Sequence, residues 1–404
     1  MPYGRQTVRA LNAFLDIGRR LGFTAVNLDN RAGYVEYGQG QRLIAVLAHL
    51  DVVPAGSDWQ TDPYDPVITE DRVIARGAAD DKGPLTAALF ALKALADEGF
   101  RPDTRIRIIA GLDEENGSSC MEHYVRVAEI PSAGFTPDAH FPVINAEKGH
   151  IWLDLTVSGG QAADAPLRLV AAQAGLRPNM VPDSCSLTLA RPDGKTEEMV
   201  IHGRPAHAST PWNGRNAIAL AMGDVERRLA AAGTSHPFVT FFNQAIGDSW
   251  RGEGLAIAGE DASGPLTLNA GLLALNEREA RLTVDIRYPV TWPQDRLLTA
   301  LQGRAADLGA NLEILRWSEP LYYDPDSPLI SKLSEVYSRL TGLDAAPVAI
   351  GGGTYARTMP NIVAFGLSFP GEQETAHQAD EYILKQTLFA GAAIFRQALR
   401  RLAE

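Results

Sequence analysis

Five short segments of this chain place histidines and carboxylates where they could hold metal ions. They are AHLD with His49 and Asp51, GAADDKG with Asp80 and Asp81, LDEENGS with Glu114 and Glu115, TPDAHFP with Asp138, and ETAHQAD with His377. Neutral imidazole and carboxylate are suitable zinc ligands, and a carboxylate has two oxygens, so one acid can touch two metals. Two metals about 3.5–4 Å apart can share a water, make it a better nucleophile and polarise a carbonyl. The chemistry in view is hydrolysis by a pair of cations. No segment carries this reading alone. A lone His49 behind a strand is more often structural, and Glu114-Glu115 alone reads as a solvated loop. Asp80-Asp81 could be a helix N-cap with a solvated neighbour. Jointly they point to a metal site, because most of them follow an apolar run.

The elements around them explain how they could meet. Residues 7–21 carry Val8, Leu11, Leu15 and Leu21 at helical spacing, with Gly22 as a stop. Leu43 to Ala48 is a continuous apolar run, consistent with a buried strand, and His49 follows it. Val73 to Arg76 is a weaker strand candidate ahead of Gly77 and the Asp80-Asp81 loop. Pro84 suits a first helical position, and Leu85, Ala88, Leu89, Leu92 and Leu95 lay an apolar face that Gly99 ends. Arg105 to Ala110 alternates charged and aliphatic residues as strands do, with Glu114-Glu115 shortly beyond. Strand, helix and strand alternating with acidic loops predict an α/β sheet, and such sheets carry their sites beyond the carboxyl ends of their strands.

From about Ile151 to Glu319 the pattern changes. WLDLTVS, EEMVIHG and ARLTVDIRYP alternate, and a helical segment covers Ala217 to Ala231. This predicts an inserted α+β domain of two lobes. From Pro328 the α/β character returns, with a helix over 330–340, the runs APVAIGGG and NIVAFGLSFPG, and a helix after His377 through Glu381 to Leu402. The expected organisation is a mixed-sheet α/β catalytic domain with helices on both faces, in two parts (1–149 and 322–404), with a lid domain over 150–321 between them. No solenoid-length repeat and no low-complexity tract is present.

Bulk properties narrow the partners. A chain of 404 residues with 45% hydrophobic and 21% charged residues fits a globular enzyme. A net charge of -12 argues against nucleic acid or anionic membranes as partners. The two cysteines, Cys120 and Cys185, exclude a disulfide scaffold and read as reduced thiols. The N-terminus has no apolar core of signal-peptide length, and the longest apolar run is too short to span a bilayer. A cytoplasmic protein is expected.

The motifs RGAADDKGP, DEENGS, FTPDAHFPVINAEKG, RPNMVPD, HGRPAHASTP, DIRYP, GGGTYAR and AHQADEYI stand in one family's order. In them the chain resembles, over nearly its whole length, the zinc aminoacylase/carboxypeptidase/deacylase metallopeptidases, the ArgE/DapE family. FTPDAHFPVINAEKG with RPNMVPD favours its PepV-type dipeptidase branch. The resemblance implies two Zn²⁺ per chain, with Co²⁺ or Mn²⁺ able to occupy the same donors. It gives His49 and Asp138 to one metal, Glu115 and His377 to the other, and Asp80 to both. Asp51 would fix the His49 imidazole. Glu114 would be the general base for a metal-bridging water and then pass its proton to the leaving amine. The peptide bond between Asp80 and Asp81 would be cis. His207 would donate to the oxyanion with Asn179 as its companion, and Arg287 would pair with the substrate's terminal carboxylate. The triple glycine lacks the ending of a phosphate loop. Gly352 and Gly353 would instead let backbone approach the substrate closely. His123 and His140 match no ligand position, and Cys120 is expected to pack.

The activity implied is a dipeptidase acting on unblocked short peptides, as a monomer. Its rivals are an N-acyl amino acid deacylase or desuccinylase of the same family, and an inactive zinc-stabilised peptide-binding protein. Retention of Glu114 argues against the last. Relatives usually carry a further helical segment before the matching region, so a shortened start is also expected.

Overall fold

The protein is described by a computed structural model covering residues 2–404. It divides into two compact units. One holds Met1–Asn145, Tyr323–Val348 and Gly353–Glu404; the other holds Ala146–Tyr322 and Ala349–Gly352.

The first unit is organised by a twisted mixed sheet. Its strands run Thr24–Leu28, Ala32–Tyr37, Thr104–Gly111, Arg42–His49, Ala133–Thr136 and Ile362–Ala364, followed by the strand that begins at Ile144. The four from Thr104–Gly111 to Ile362–Ala364 are mutually parallel. The Arg42–His49 strand is the sequence's apolar run, buried from Leu43 onward, as a parallel strand covered on both faces must be. It ends on His49 itself rather than one residue earlier, and His49 stands in register with Gly111.

Register also decides which helix covers which face. Val35 pairs with Ile108, and Ile108 with Val46, so these three share a face. Helix Arg5–Arg20 presses on that face, where a Cβ on Gly18 would meet Val35. Helices Lys82–Asp97 and Lys385–Ala403 join the same core. Arg107 alternates to the opposite face, where it donates to the Tyr124 hydroxyl of helix Ser119–Val127 at 2.6 Å.

Three local expectations need correction. Helix Lys82–Asp97 starts before Pro84, which therefore stands third in it, where its missing N–H still belongs to the unbonded first turn. The strand leading to Asp80 is short, Arg72–Ile74, and lies outside the main sheet. It forms a small sheet with Val67–Ile68 and Tyr382–Leu384. The last helix begins at Lys385, not at Glu381, because Tyr382–Leu384 is taken up by that sheet.

The second unit is built on one seven-stranded antiparallel sheet in the order Thr196–His202, Ser184–Ala190, Arg168–Ala174, Thr267–Leu275, Glu279–Tyr288, Gly149–Ser158, Asn311–Ser318. The two halves of this unit share that sheet through the pairing of Ala172–Ala174 with Leu273–Leu275. Helix Ala217–Ala231 is capped by Asn216, whose side chain accepts from the N–H groups of Ile218 and Ala219. It packs into the core with helices Pro237–Ala245 and Gln294–Asp307. Among the described residues no helix is long and apolar enough to cross a membrane.

Candidate metal centre

The parallel strands of the first unit end beside one another, and the loops leaving them carry acids. His49 closes its strand and is fully buried. Glu114 and Glu115 follow the Thr104–Gly111 strand, and Asp138 follows Ala133–Thr136. The His49 Nδ1 lies 3.1 Å from the Asp51 backbone carbonyl, an oxygen that can only accept. Neutral His49 therefore keeps its proton on Nδ1 and turns the Nε2 lone pair into the cluster. That Nε2 is 2.8 Å from Asp80 Oδ1 and 3.8 Å from Asp138 Oδ2.

The second oxygen of Asp80 serves a different imidazole. Asp80 Oδ2 lies 2.8 Å from His377 Nε2, which is also 3.2 Å from Glu115 Oε1. Donor atoms of His49, Asp80 and Asp138 all lie within 4.8 Å of one another, and so do those of Asp80, Glu115 and His377. Ligands about 2.1 Å from a shared tetrahedral ion stand roughly 3.4 Å apart, so both triplets are of a size to close around a cation. Asp80 belongs to both. The Asp80–Asp81 peptide is cis, as the resemblance implied.

Asp51 does more than support His49. Its Oδ1 accepts the Glu114 N–H and its Oδ2 the Glu115 N–H, each at 3.1 Å. One carboxylate thus ties the His49 strand end to the paired glutamates. Asp81 stands at the N-cap position of helix Lys82–Asp97 but makes no cap bond. Its Oδ2 accepts the His49 N–H at 3.0 Å instead, which removes the plain N-cap reading.

Electrostatics report a cluster short of positive charge. Burial raises Glu114 to about 7, with the charges of Glu115, Asp80 and Asp51 adding to it against His49. Burial likewise holds Asp138 and Asp81 well above the usual carboxylate range. Burial alone would lower His49, but its bonds to Asp51 and Asp80 carry it well upward. The bonds of His377 to Asp80 and Glu115 raise it to about 10. Crowded carboxylates that pull protons onto both imidazoles are a donor set suited to cations, which would take the protons' place.

In the second unit, Asn179 and His207 come together: Met180 bridges His207, and the Asn179 carbonyl accepts the Ala208 N–H at 3.0 Å. The His207 Nδ1 accepts the Ser209 N–H at 3.3 Å, which leaves Nε2 as the protonated nitrogen of the neutral ring. Arg287 is buried, with Nε and Nη2 donating to Asp285 at 2.7 and 3.0 Å and Nη1 to the Gly351 carbonyl at 2.7 Å. A Cβ on Gly352 would meet nothing within 4 Å, whereas one on Gly353 would press on Arg357.

His123 is buried and pairs with Asp29 at 3.1 Å. His140 borders a cavity of about 590 Å³ that Asp80, Asp138 and His377 also line. Cys120 is buried against Tyr355, its Sγ 3.1 Å from the hydroxyl.

Sequence reasoning missed three residues that contact these candidates and misread a fourth, Asp81. Asp285 receives His150, Trp152 and Arg287. Tyr355 stands edge-on to the His49 ring at 6.0 Å. Glu381 accepts the Asp80 N–H at 3.1 Å. Asp81 holds the His49 backbone. Each sits inside a motif already singled out (DIRYP, GGGTYAR, AHQADEYI, RGAADDKGP), but nothing in spacing says what a neighbour of a ligand will touch.

Residues 45–401 match the profile of Peptidase family M20/M25/M40. The chain belongs to that family. It is 38% identical to "Putative dipeptidase YtjP" of Bacillus subtilis (strain 168), over 100% of this chain and 92% of the relative. It is 34% identical to "Putative dipeptidase SH1171" of Staphylococcus haemolyticus (strain JCSC1435), over 98% and 91%. Its fold is that of the aminoacylhistidine dipeptidase from Vibrio alginolyticus, with a TM-score of 0.66 at 15% identity over 97% of this chain and 92% of that one. As a member of this peptidase family the chain is a hydrolase of peptide bonds.

Proposed function

We propose that this chain is a two-zinc dipeptidase that hydrolyses unblocked dipeptides, working as a cytoplasmic monomer. The observation that carries the reading is the pair of Asp80 oxygens, each 2.8 Å from a different imidazole, His49 on one side and His377 on the other. In this reading His49 and Asp138 hold one cation, Glu115 and His377 the other, and Asp80 both. Bound there, the pair would supply Lewis-acid polarisation of the scissile carbonyl and make a water more acidic.

The chain's own residues do the rest. Glu114, which neither proposed cation uses as a ligand, would take the water's proton and return it to the leaving amine. Asp51 holds that glutamate by its backbone N–H, and a carboxylate oxygen of Glu114 lies within 4.8 Å of donor atoms of His49 and Glu115. His207 carries its proton on Nε2 and would donate it as a hydrogen bond to the developing oxyanion, with Asn179 beside it. Arg287 commits its Nε and one Nη2 hydrogen to Asp285 and one Nη1 hydrogen to Gly351, so it would meet the terminal carboxylate of the substrate with the one N–H that each of Nη1 and Nη2 has left.

The test pairs metal analysis with a substrate panel. Chelation should abolish hydrolysis, and Zn²⁺, Co²⁺ or Mn²⁺ should restore it, with two ions per chain at full activity. Unblocked dipeptides should be cleaved far faster than N-acyl amino acids or longer peptides. Preference for N-acyl amino acids would make the chain a deacylase, and full activity in metal-free protein would sink the reading altogether.

A further inference from the structure

We infer that Glu381 is a positioning residue for the cation pair: it fixes the bridging Asp80 and the His377 loop against each other. The inference rests on the two-metal reading above.

Glu381 is fully buried, and its carboxylate accepts four hydrogen bonds. Oε2 takes the Arg76 Nη1 at 2.6 Å and the Gly77 N–H at 3.1 Å. Oε1 takes the Ala79 N–H at 2.8 Å and the Asp80 N–H at 3.1 Å. A carboxylate needed only to neutralise Arg76 would not spend a whole oxygen on the backbone that carries Asp80. By holding N–H groups along residues 77–80, it sets where the Asp80 side chain leaves the chain.

The other end of the link is equally tied. His377 lies on an excursion between Thr375 and Tyr382. The Thr375 hydroxyl donates to the Tyr382 carbonyl at 2.8 Å and accepts the Tyr382 N–H at 3.3 Å. Glu381 sits inside that closed loop, and its carbonyl accepts the Ala75 N–H at 3.0 Å. Asp380 beside it accepts the Gln60 N–H at 2.9 Å. The bridging acid and one terminal imidazole are thus referred to the same buried carboxylate. Groups that orient metal ligands in this way typically govern metal affinity by 10–100-fold.

The rival account is that Glu381 is only the counter-ion of buried Arg76. Removing one partner of a buried pair is destabilising in itself, whereas replacing both with apolar residues is often tolerated. The deciding variant is therefore Glu381→Leu with Arg76→Met, which removes the charge problem but leaves the Gly77, Ala79 and Asp80 N–H groups without their acceptor. Glu381→Gln, which keeps the volume but gives up one acceptor oxygen, is the milder companion should the double variant fail to fold.

Each full-length variant is checked for folding by far-UV circular dichroism. Zinc stoichiometry and affinity are then measured by competition with a chromophoric chelator, and the Co²⁺-substituted absorption spectrum is recorded. The double variant should bind the weaker of its two cations at least tenfold less tightly than wild type, with an altered cobalt spectrum. Glu381→Gln should move both readouts the same way, by a smaller factor. If a folded variant holds two cations with wild-type affinity and spectrum, Glu381 is a counter-ion and the inference falls alone. If wild type itself binds no cation pair, the two-metal reading falls with it.

Discussion

A Cβ on Gly111 would stand 1.9 Å from the Tyr355 hydroxyl oxygen. Gly111 faces His49 across the parallel ladder, and the Tyr355 ring is edge-on to that histidine. The wall behind the first imidazole thus depends on one residue having no side chain.

Gly111→Ala should accordingly force Tyr355 or the strand end to move. Overpacking of this kind costs about 1–3 kcal/mol, read as a lowered midpoint in urea unfolding, and zinc binding should weaken as His49 is disturbed. Adding Tyr355→Phe removes the atom in closest conflict and should recover part of both losses. An unchanged midpoint in the single variant would show that Tyr355 relocates freely.

Glu114 and Glu115 are neighbours with different tasks in the proposed reaction. Glu114→Gln should retain two metals and lose roughly 10²–10⁴ in kcat, since only the proton carrier is gone. Glu115→Ala should lose metal as well, because its carboxylate lies against His377. Elemental analysis beside steady-state kinetics separates them, and equal metal content with similar rates would refute the division.

The second unit should have an acid sensitivity of its own. His236 is buried at the start of helix Pro237–Ala245, its Nδ1 accepting the Phe238 N–H at 3.2 Å. Burial lowers its pKa to about 4 from 6.5. The unfolded chain therefore binds the proton more readily, so the stability linked to neutral His236 is complete above pH 6.5. It is lost as pH falls toward 4, amounting to about 3 kcal/mol. Urea titrations at pH 7 and 4.5 should show a smaller difference in His236→Asn, which keeps a capping acceptor.

Arg287 makes a claim about substrate ends. A dipeptide would offer a carboxylate to the two N–H groups that Asp285 and Gly351 leave over, whereas an amidated dipeptide would replace that charged acceptor with a neutral one. kcat/KM should fall by two orders of magnitude or more (roughly 3 kcal/mol) on amidation, and Arg287→Ala should narrow that gap. Equal rates on a dipeptide, its amide and a pentapeptide would show that no carboxylate gates the reaction.

His207→Ala tests the second unit's part in the chemistry. If the imidazole donates to the oxyanion, kcat should drop by roughly 10²–10³ with metal content unchanged. A change confined to KM would mean ordinary binding instead.

Much of the fold and of the candidate site is legible in the sequence. The apolar run 43–48 is consistent with a buried strand, and the structure ends that strand on His49. The alternation of 105–110 likewise reads as a strand, with Glu114 and Glu115 shortly beyond. Asp80 was harder, because the strand before it is short and belongs to a small sheet completed by residues 382–384, a long-range pairing that no local pattern encodes. That pairing also explains why the last helix starts later than its composition predicts. Asp51 was seen as a partner of His49, but its two bonds to the glutamate backbone depend on strands that meet only in the fold. Glu381 and Asp285 escaped for the same reason: a buried acid and a solvated one look alike in a sequence.

The chain's order has a temporal side. Glu115 and His377 are 262 residues apart, and at roughly 5–20 residues per second a ribosome needs on the order of ten seconds to a minute to travel between them. From Asp138 onward the nascent chain has all three residues of the first triplet and the proposed base Glu114, but the second triplet still lacks His377. Helix Lys385–Ala403, which completes the first unit's core, emerges later still. If both cations are needed for turnover, as proposed, the chain gains its activity only after His377 has emerged and folded against Asp80 and Glu115.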